Sequence, residues 1–390
     1  MSARETFASR SGAVIDDLRK TGQYKALHTV SSPMGPVATI DGREVIVLCS
    51  NDYLGLASDP RVVEAGIDAL KTRGAGTASV RFICGTFDVH HEIERALAAM
   101  SSAESALTFV SCWNANEALF PTVMATGDTV ISDALNHASI IDAIRQSRDV
   151  ERKIYAHNDL AELEAALKGA STSGIRWVTT DGVFSMEGDL ARLPEILVLC
   201  RTYDALLVVD DSHGVGVLGE TGHGTAEHYG LAGSVDVTTG TLGKALGGAA
   251  GGYVASSGEL IDLLIQRARP SLFSNALPAT VARSARRAIE ILNSESERVG
   301  RLRANAAQIR ERLRDLGYEI EDSPSAIVPI ILGDAVEVER ASKKLLDSGV
   351  LVVGFSYPVV PVGKARLRIQ ASAGLTDEHL DQVIAAFARL

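Results

Sequence analysis

The residues Thr239-Gly240-Thr241-Leu242-Gly243-Lys244-Ala245-Leu246-Gly247-Gly248 place one lysine among small side chains, directly after the strand-like run 234–238. The glycines allow the backbone to approach a ligand closely, and the apolar β-branched residues before them indicate a buried turn. Because burial disfavours the ammonium form, we expect Lys244 to act as an amine nucleophile near neutral pH. A glycine-rich loop with a solvated lysine is the alternative.

The composition excludes several classes of function. Hydrophobic residues make up 46% of the 390 residues, which supports a large interior and favours two domains. The 38 Lys and Arg residues against 49 Asp and Glu residues give a net charge of −11, without a long basic run. This balance argues against nucleic acid and membrane surfaces as partners.

The cysteines and the N-terminus bear on the compartment. Cys49, Cys84, Cys112 and Cys200 lie far apart without metal-ligand spacing, which fits a reducing cytoplasm better than a disulfide framework. The histidines show no HxxxH pattern, so no metal is expected. Residues 1–20 lack a signal core, and no run approaches the roughly 18 apolar residues of a membrane span. We therefore expect a soluble, cytoplasmic protein.

Short apolar strands alternate with helical patterns in the middle of the chain. The predicted strands are 106–110, 129–132, 177–180, 205–209, 235–239 and 252–255. Such strands between helices indicate an α/β fold with a mostly parallel sheet covered on both faces. Ligands of these sheets bind at the carboxyl ends of the strands.

The ends of the chain differ from this pattern. Residues 1–50 predict a helix and a hairpin that turns at Asp41-Gly42, and the segment 74–86 is too rich in small residues for regular structure. After Pro278, a helical stretch precedes three further strands and two helices. We predict an N-terminal segment 1–50, a large ligand-binding domain 51–278 and a small α+β domain 279–390.

A second polar cluster, Asp210-Asp211-Ser212-His213, follows the apolar strand 205–209. A carboxylate buried there needs a cationic partner, and a protonated pyridine nitrogen is one; a helix N-cap is the alternative. Lys244 follows Asp210 by 34 positions (244 − 210), with one strand between them. An aspartate and a lysine on neighbouring strand ends are typical of a pyridoxal phosphate site, in which Lys244 forms the Schiff base and Asp210 holds the pyridinium charge.

Five blocks of sequence resemble the α-oxoamine synthase family, namely 79–86 (Ser-Val-Arg-Phe-Ile-Cys-Gly-Thr), 132–141, 180–189, 209–213 and 239–248. The likeness runs from about residue 15 to the C-terminus. It implies a fold-type I pyridoxal phosphate-dependent transferase, with a mostly parallel sheet in the large domain and a smaller α+β C-terminal domain. It also implies a homodimer with shared active sites.

The resemblance assigns roles around the cofactor ring. Lys244 and Asp210 keep the roles given above, and with His137 they form the catalytic set. His213 and Ser185 match the groups that bond the phenolic oxygen of the cofactor. His137 matches a histidine that stacks on the ring and can bond an incoming carbonyl. Taken alone, a histidine in an Asn-His-Ala turn is more often a helix cap or a core residue.

The phosphate of the cofactor is expected at Ser111-Cys112-Trp113, a strand-to-helix junction where backbone N–H groups and the helix dipole bind anions. The resemblance adds the hydroxyl of Thr241, and Ser274 and Asn275 from the second subunit.

The substrate carboxylate is expected at two further residues. Asn51 and Arg368 match the groups that hold it in the family, and an arginine fork suits a planar carboxylate. An edge-strand arginine facing water is the alternative for Arg368.

The reaction implied by the resemblance joins glycine to an acyl-CoA, with acetyl-CoA the expected donor. The amine of Lys244 removes the α-proton of glycine, the carbanion attacks the thioester, and CoA leaves. The product from acetyl-CoA is 2-amino-3-oxobutyrate, and the reverse thiolytic cleavage belongs to threonine degradation.

Three residues depart from the family pattern, namely Phe87, Trp113 and His223. Because the first two are expected at the acyl or CoA end of the pocket, another acyl thioester or small amino acid stays open. The alternatives are a decarboxylating synthase of the 8-amino-7-oxononanoate or 5-aminolevulinate type, an aldolase, and a non-catalytic binding protein on the same fold. The block 79–84 favours the acetyl branch.

Overall fold

The computed structural model describes residues 1–390. The chain divides into two units: unit one comprises Met1–Ser50, Ala304–Asp322 and Ala326–Leu390, and unit two comprises Asn51–Arg303 with Ser323–Ser325. None of the helices combines the length and the apolar composition that crossing a bilayer requires.

The elements in chain order are as follows. The strands are β1 Val37–Ile40, β2 Arg43–Val47, β3 Ser105–Phe109, β4 Thr129–Asp133, β5 Glu151–Tyr155, β6 Arg176–Asp181, β7 Ala205–Asp210, β8 Val237–Thr241, β9 Gly252–Ser256, β10 Ile327–Gly333, β11 Val350–Leu351, β12 Val353–Phe355 and β13 Ala365–Gln370. The helices are α1 Ala3–Lys20, α2 Pro60–Arg73, α3 Asp88–Met100, α4 Cys112–Val123, α5 Ala138–Gln146, α6 Leu160–Lys168, α7 Leu193–Thr202, α8 Thr225–His228, α9 Gly258–Arg267, α10 Arg269–Phe273, α11 Ala279–Ser294, α12 Glu297–Asp315, α13 Ala335–Asp347 and α14 Asp377–Phe387.

Unit two is built on a seven-stranded sheet with the order β3-β9-β8-β7-β6-β4-β5. Only β9 runs antiparallel to its neighbours β3 and β8. The other pairs are parallel, which confirms the prediction of a mostly parallel sheet.

Alternate side chains of each strand enter two separate cores, one on each face of the sheet. Val130 and Val208 pack with residues of α4, α5 and α9, whereas Ile131 and Leu207 pack with residues of α6 and α7. Burial on both faces explains why these strands read as continuous apolar runs. The carboxyl ends of β4, β6, β7 and β8 meet at one edge, where the polar loops begin.

Unit one carries two three-stranded sheets, β1-β2-β11 and β10-β13-β12. The predicted hairpin is confirmed, since β1 and β2 pair antiparallel across Asp41 and Gly42, both of which have positive φ. β2 also pairs in parallel with β11, and this pairing joins the N-terminal segment to the C-terminal residues.

Two local features differ from the sequence-based expectation. The strand β5 was not predicted, because its charged residues lie on the sheet edge and Ile154 is 74% exposed. The expectation of no regular structure over 74–86 is wrong for Arg81–Gly85, which forms a turn of π-helix. Arg81 anchors this turn by donating to Glu94 of α3 at 2.6 Å and to Thr108 of β3 at 3.2 Å.

Candidate active site

A cavity of about 230 Å³ opens beside the carboxyl ends of the central strands of unit two. Eight residues predicted from the sequence line it, namely Cys112, Trp113, His137, Ser185, Asp210, His213, Thr241 and Lys244. Three lining residues were not predicted: Asp181, Val183 and Ser212. The cavity therefore brings the two key sequence clusters, 210–213 and 239–248, together with the ends of β4 and β6.

Lys244 stands at the start of a hydrogen-bonded chain. Its Nζ lies 2.8 Å from Nε2 of His213, and Nδ1 of the same ring lies 2.7 Å from the hydroxyl of Tyr53. Tyr53 is fully buried, so it fixes the His213 ring from behind. Gly248 has a φ of +68°, and a Cβ there would lie 2.9 Å from the Cβ of Ala57. The glycine is needed to bring the turn after Lys244 this close to the 51–57 loop.

Asp210 is a buried carboxylate, and each of its two oxygens accepts a hydrogen bond. Asn116 donates its amide to Oδ2 at 2.8 Å, and the backbone N–H of Ser212 donates to Oδ1 at 3.0 Å. Burial acts to raise the pKa of Asp210, but bonds from Ser212 and Asn116, together with the charge of Lys244, outweigh it. The pKa is therefore lowered, and the carboxylate stays ionised.

His137 is the N-cap of α5, which agrees with the helix cap considered as the alternative for its Asn-His-Ala turn. It also lines the cavity. Its Nδ1 lies 2.8 Å from the hydroxyl of Ser139. The indole of Trp113 meets the ring edge-on, at 6.1 Å and 79°. Desolvation by the surrounding protein lowers the pKa of His137, which favours the neutral imidazole.

Asp181 supplies a second carboxyl group to the same cavity. It is 5% exposed, its Oδ2 accepts the backbone N–H of His137 at 3.1 Å, and its Oδ1 has no hydrogen-bond partner. Burial, followed by repulsion from Asp210, raises the pKa of Asp181 well above its usual range. The pKa of Asp210 is therefore lowered and that of Asp181 is raised, because the two carboxyl groups have different environments.

The residues expected around the phosphate lie at the start of α4 and the end of β8. Ser111 is the N-cap of α4 and accepts the N–H of Asn114 at 3.1 Å, whereas Cys112 and Trp113 line the cavity. The hydroxyl of Thr241 accepts the N–H of Gly243 at 3.0 Å. Ser111 is therefore occupied with capping, and the helix start that it caps borders the cavity.

Besides Ser111, four predicted residues do not line this cavity. Ser274 and Asn275 follow α10, and Asn51 begins unit two. Arg368 belongs to unit one, where it lies on β13, donates to Gln370 at 3.0 Å and sits 4.5 Å over the ring of Phe355. The expected role of each of these residues stays a prediction.

Of the three departures from the family pattern, only Trp113 lines the cavity. Phe87 precedes α3, and its ring lies 6.0 Å from that of His90. His223 contacts Asn293 of α11 at 2.9 Å. Of these three residues, only Trp113 can therefore change the shape of the cavity directly.

Sequence reasoning missed the residues directly behind the cavity wall, among them Tyr53, Asn116 and Ser139. Two of them carry a signal in hindsight. Asn116 lies one helical turn after Cys112, and Ser139 follows His137 by two positions, as a residue bonded to a helix N-cap does. Tyr53 carries none, because it is distant in sequence from His213.

The chain belongs to the aminotransferase class I and II family, which it matches over residues 43–387. It is 45% identical over 379 residues to 2-amino-3-ketobutyrate coenzyme A ligase of Escherichia coli (strain K12), which covers 96% of this chain and 95% of the relative. It is 44% identical over 377 residues to 8-amino-7-oxononanoate synthase of Thermoanaerobacter pseudethanolicus, with 96% and 95% covered.

A solved structure of Sphingomonas wittichii serine palmitoyltransferase superposes with a TM-score of 0.93 at 30% identity, covering 100% of this chain and 98% of that one. These relatives confirm the resemblance to the α-oxoamine synthases and the fold-type I architecture.

Proposed function

We propose that the protein binds pyridoxal phosphate and joins glycine to acetyl-CoA, releasing CoA and 2-amino-3-oxobutyrate, or runs the reverse thiolytic cleavage in threonine degradation. The observation that carries this proposal is the cavity in which an amine, Lys244, and an ionised buried carboxylate, Asp210, face the same space. The name of the Escherichia coli relative, a 2-amino-3-ketobutyrate coenzyme A ligase, supports the choice of reaction.

The residues present fit this cofactor. Asp210 is buried and ionised, and a carboxylate in that position is stabilised by a cationic ring nitrogen. Lys244 would hold the aldehyde carbon, and His213 and Ser185 would contact the phenolic oxygen. The first turn of α4, with Thr241 opposite, would receive the phosphate, because free N–H groups and the helix dipole favour an anion.

Pyridoxal phosphate supplies an electron sink for a carbanion at the substrate α-carbon. The residues of the chain provide the rest. Once the amino group of glycine has replaced it at the aldehyde carbon, the free Nζ of Lys244 would take the proton from the α-carbon, and His213, fixed by Tyr53, would orient this amine. The α-carbon would then bond to the thioester carbonyl carbon as the C–S bond breaks, and the CoA thiolate would leave and take up the proton that Lys244 had removed. Asn51 and Arg368 are proposed to hold the carboxylate of glycine.

A second reaction has weaker support. Relatives named 8-amino-7-oxononanoate synthase are 44% identical in Thermoanaerobacter pseudethanolicus and 45% identical in Symbiobacterium thermophilum. A synthase of that type would use a longer acyl thioester with alanine and release CO2. The indole of Trp113 stands edge-on to His137 in the cavity wall, and we propose that it limits the room for an acyl chain. This wall favours the acetyl reaction.

The test is thiol release by the purified, cofactor-loaded protein with two substrate pairs. Glycine with acetyl-CoA should release CoA faster than alanine with pimeloyl-CoA. Lys244→Arg keeps the charge but cannot perform the proton transfer, so it serves as the matched control. Faster release from the alanine pair would replace the acetyl assignment, and release by Lys244→Arg equal to that of the native chain would overturn the site.

We also propose that two copies of the chain form a homodimer. Phe82, Ile83 and Phe273 are 61%, 68% and 74% exposed, and the turn that carries the first two packs against α10. Large apolar side chains grouped in this way are typical of a surface that another protein covers. Ser274 and Asn275, which follow this patch, would then reach the cofactor of the second copy. Sedimentation equilibrium of the native chain and of Phe273→Asp tests this, and a monomeric native chain would contradict it.

The compartment is proposed to be the cytoplasm. The four cysteines are free, which fits a reducing environment. A human relative, 43% identical, carries "mitochondrial" in its name. Fractionation of the source cells decides between compartments.

A further inference from the structure

The hydrogen bonds around His137 determine which ring nitrogen carries its hydrogen. The backbone N–H of Ser139 donates to Nδ1 at 3.3 Å, and the hydroxyl oxygen of the same serine lies 2.8 Å from Nδ1. A ring nitrogen that accepts an N–H has no hydrogen of its own, since two N–H groups would otherwise point at each other. The neutral ring must therefore carry its hydrogen on Nε2.

The hydroxyl of Ser139 is oriented by a third residue. Asn116 donates its amide to this oxygen at 2.9 Å. Asn116 is fully buried and Ser139 is 1% exposed, so water cannot substitute for either partner. Because the oxygen accepts from Asn116, the hydrogen of the hydroxyl is left to donate to Nδ1 of His137.

The orientation of the Asn116 amide follows from the charge beside it. The same nitrogen donates to Oδ2 of Asp210 at 2.8 Å. The opposite orientation would place the amide oxygen against an ionised carboxylate, which is repulsive in a dry interior. The two hydrogens of the amide therefore go to Asp210 and to Ser139.

We propose that Asn116 and Ser139 are positioning residues that connect the Asp210 carboxylate to His137 and hold this ring as a neutral donor through Nε2–H. A ligand in the cavity must then offer an oxygen acceptor to this edge of the ring. His137 is unsuited to removing a proton at Nε2, which leaves that step to Lys244. The inference about the ring stands on the protein alone, and only the identity of the acceptor, the carbonyl of the acyl group, rests on the proposed function.

The test is nitrogen NMR of the full-length protein labelled with 15N-histidine, loaded with pyridoxal phosphate and free of substrate. His137→Gln identifies the resonances of this ring. We expect hydrogen on Nε2 and a bare Nδ1 in the native chain. Hydrogen on Nδ1, or on both nitrogens near neutral pH, overturns the proposal, and this measurement requires no variant of Ser139 or Asn116 to fold.

The direction of a pKa change provides the second readout. Ser139→Ala removes a donor that stabilises the neutral ring, so the pKa of His137 should rise by roughly half a unit to one, while the backbone N–H of residue 139 still keeps the hydrogen of the neutral ring on Nε2. Ser139→Thr keeps the hydroxyl and should leave the pKa unchanged. If Ser139 were instead an acceptor, its removal would lower the pKa, which would refute the proposal. Asp181, Asp210 and Lys244, the titratable groups that line the cavity with this ring, are untouched in both variants.

Failure of this inference and failure of the proposed function are distinguishable. A native chain with the Nε2–H tautomer that releases no CoA from glycine and acetyl-CoA keeps the inference and loses the function. A chain that releases CoA with the hydrogen on Nδ1 does the reverse.

Discussion

His157 is held between two carboxylates, and we predict that His157→Gln destabilises the protein at pH 6 but much less at pH 10. Nδ1 lies 3.1 Å from Asp133 and Nε2 lies 2.8 Å from Asp189, while the ring packs edge-on against Phe184 at 4.3 Å. Asp133 ends β4, and the loop that leads to Asp189 carries Ser185 of the cavity. The histidine thus connects two segments that form the site.

The magnitude follows from the titration of this ring. Burial acts to lower the pKa of His157, but the bonds to Asp133 and Asp189 outweigh it and raise the pKa to about 10. Against an ordinary value of about 6.5, this difference of about 3.5 units corresponds to about 5 kcal/mol at most. Asp189 is 35% exposed, so solvent screening reduces the value, and we expect about 2 to 4 kcal/mol.

The direction of this pH dependence follows from the pKa of His157, which is higher in the folded state than in the unfolded state. The stabilisation is complete below about pH 6.5 and is lost as the pH rises through about 10. Urea denaturation of the native chain and of His157→Gln at pH 6, 8 and 10, at one cofactor concentration, measures the difference. It should shrink steadily with pH.

The control is His228→Gln. Desolvation lowers the pKa of this exposed histidine, so the effect of this substitution on stability should depend on pH in the opposite direction. A His157→Gln difference that is constant from pH 6 to pH 10, or that grows with pH, would refute the ion-pair explanation.

Three further substitutions test the site and its supports. Asp210→Asn removes the buried charge and should raise the Kd for pyridoxal phosphate about 100-fold, measured by equilibrium dialysis; an unchanged Kd would exclude Asp210 as the partner of the ring nitrogen. Trp113→Phe should increase thiol release from butanoyl-CoA relative to acetyl-CoA by up to about 10-fold, and an unchanged ratio would remove Trp113 from the acyl pocket. Arg81→Met leaves Glu94, 7% exposed, as an unpaired buried charge and should cost about 3 kcal/mol in urea denaturation. Part of this loss should return with the added change Glu94→Gln, and no recovery would contradict the ion-pair origin.

The sheet of unit two was predictable because its strands are buried on both faces. The side chains of an apolar run such as Leu206 to Val209 can all be buried only when both faces of the sheet are covered. The edge strand β5 lacks that constraint, so its charged residues concealed it. The strand order was not predictable, because pairing between β3 and β9 joins residues that are distant in sequence.

The extent of unit two depends on packing that the sequence does not express locally. The composition changes after Pro278, yet α11 lies in unit two and packs against α2. A Cβ at Gly66 would lie 2.6 Å from the hydroxyl oxygen of Ser284, so the glycine permits the close approach of these helices. A single small residue in α2 was not recognisable as half of a contact with a segment more than 200 positions away.

The residues that face the cavity and those that hold them differ in how they can be predicted. Asp210 and Lys244 follow strand ends, and the topology of a parallel sheet gathers such residues at one edge whatever the details of packing. The spacing of Asn116 from Cys112 is a local signal, but the role of Asn116 is not expressed locally, because its amide must reach Asp210, 94 positions away, and Ser139 at the same time. The cavity-lining residues alone would therefore predict no effect of Asn116→Leu. Yet this change removes the amide donor of Oδ2 of Asp210 and of the buried Ser139 hydroxyl, and should cost as much as a substitution within the cavity itself.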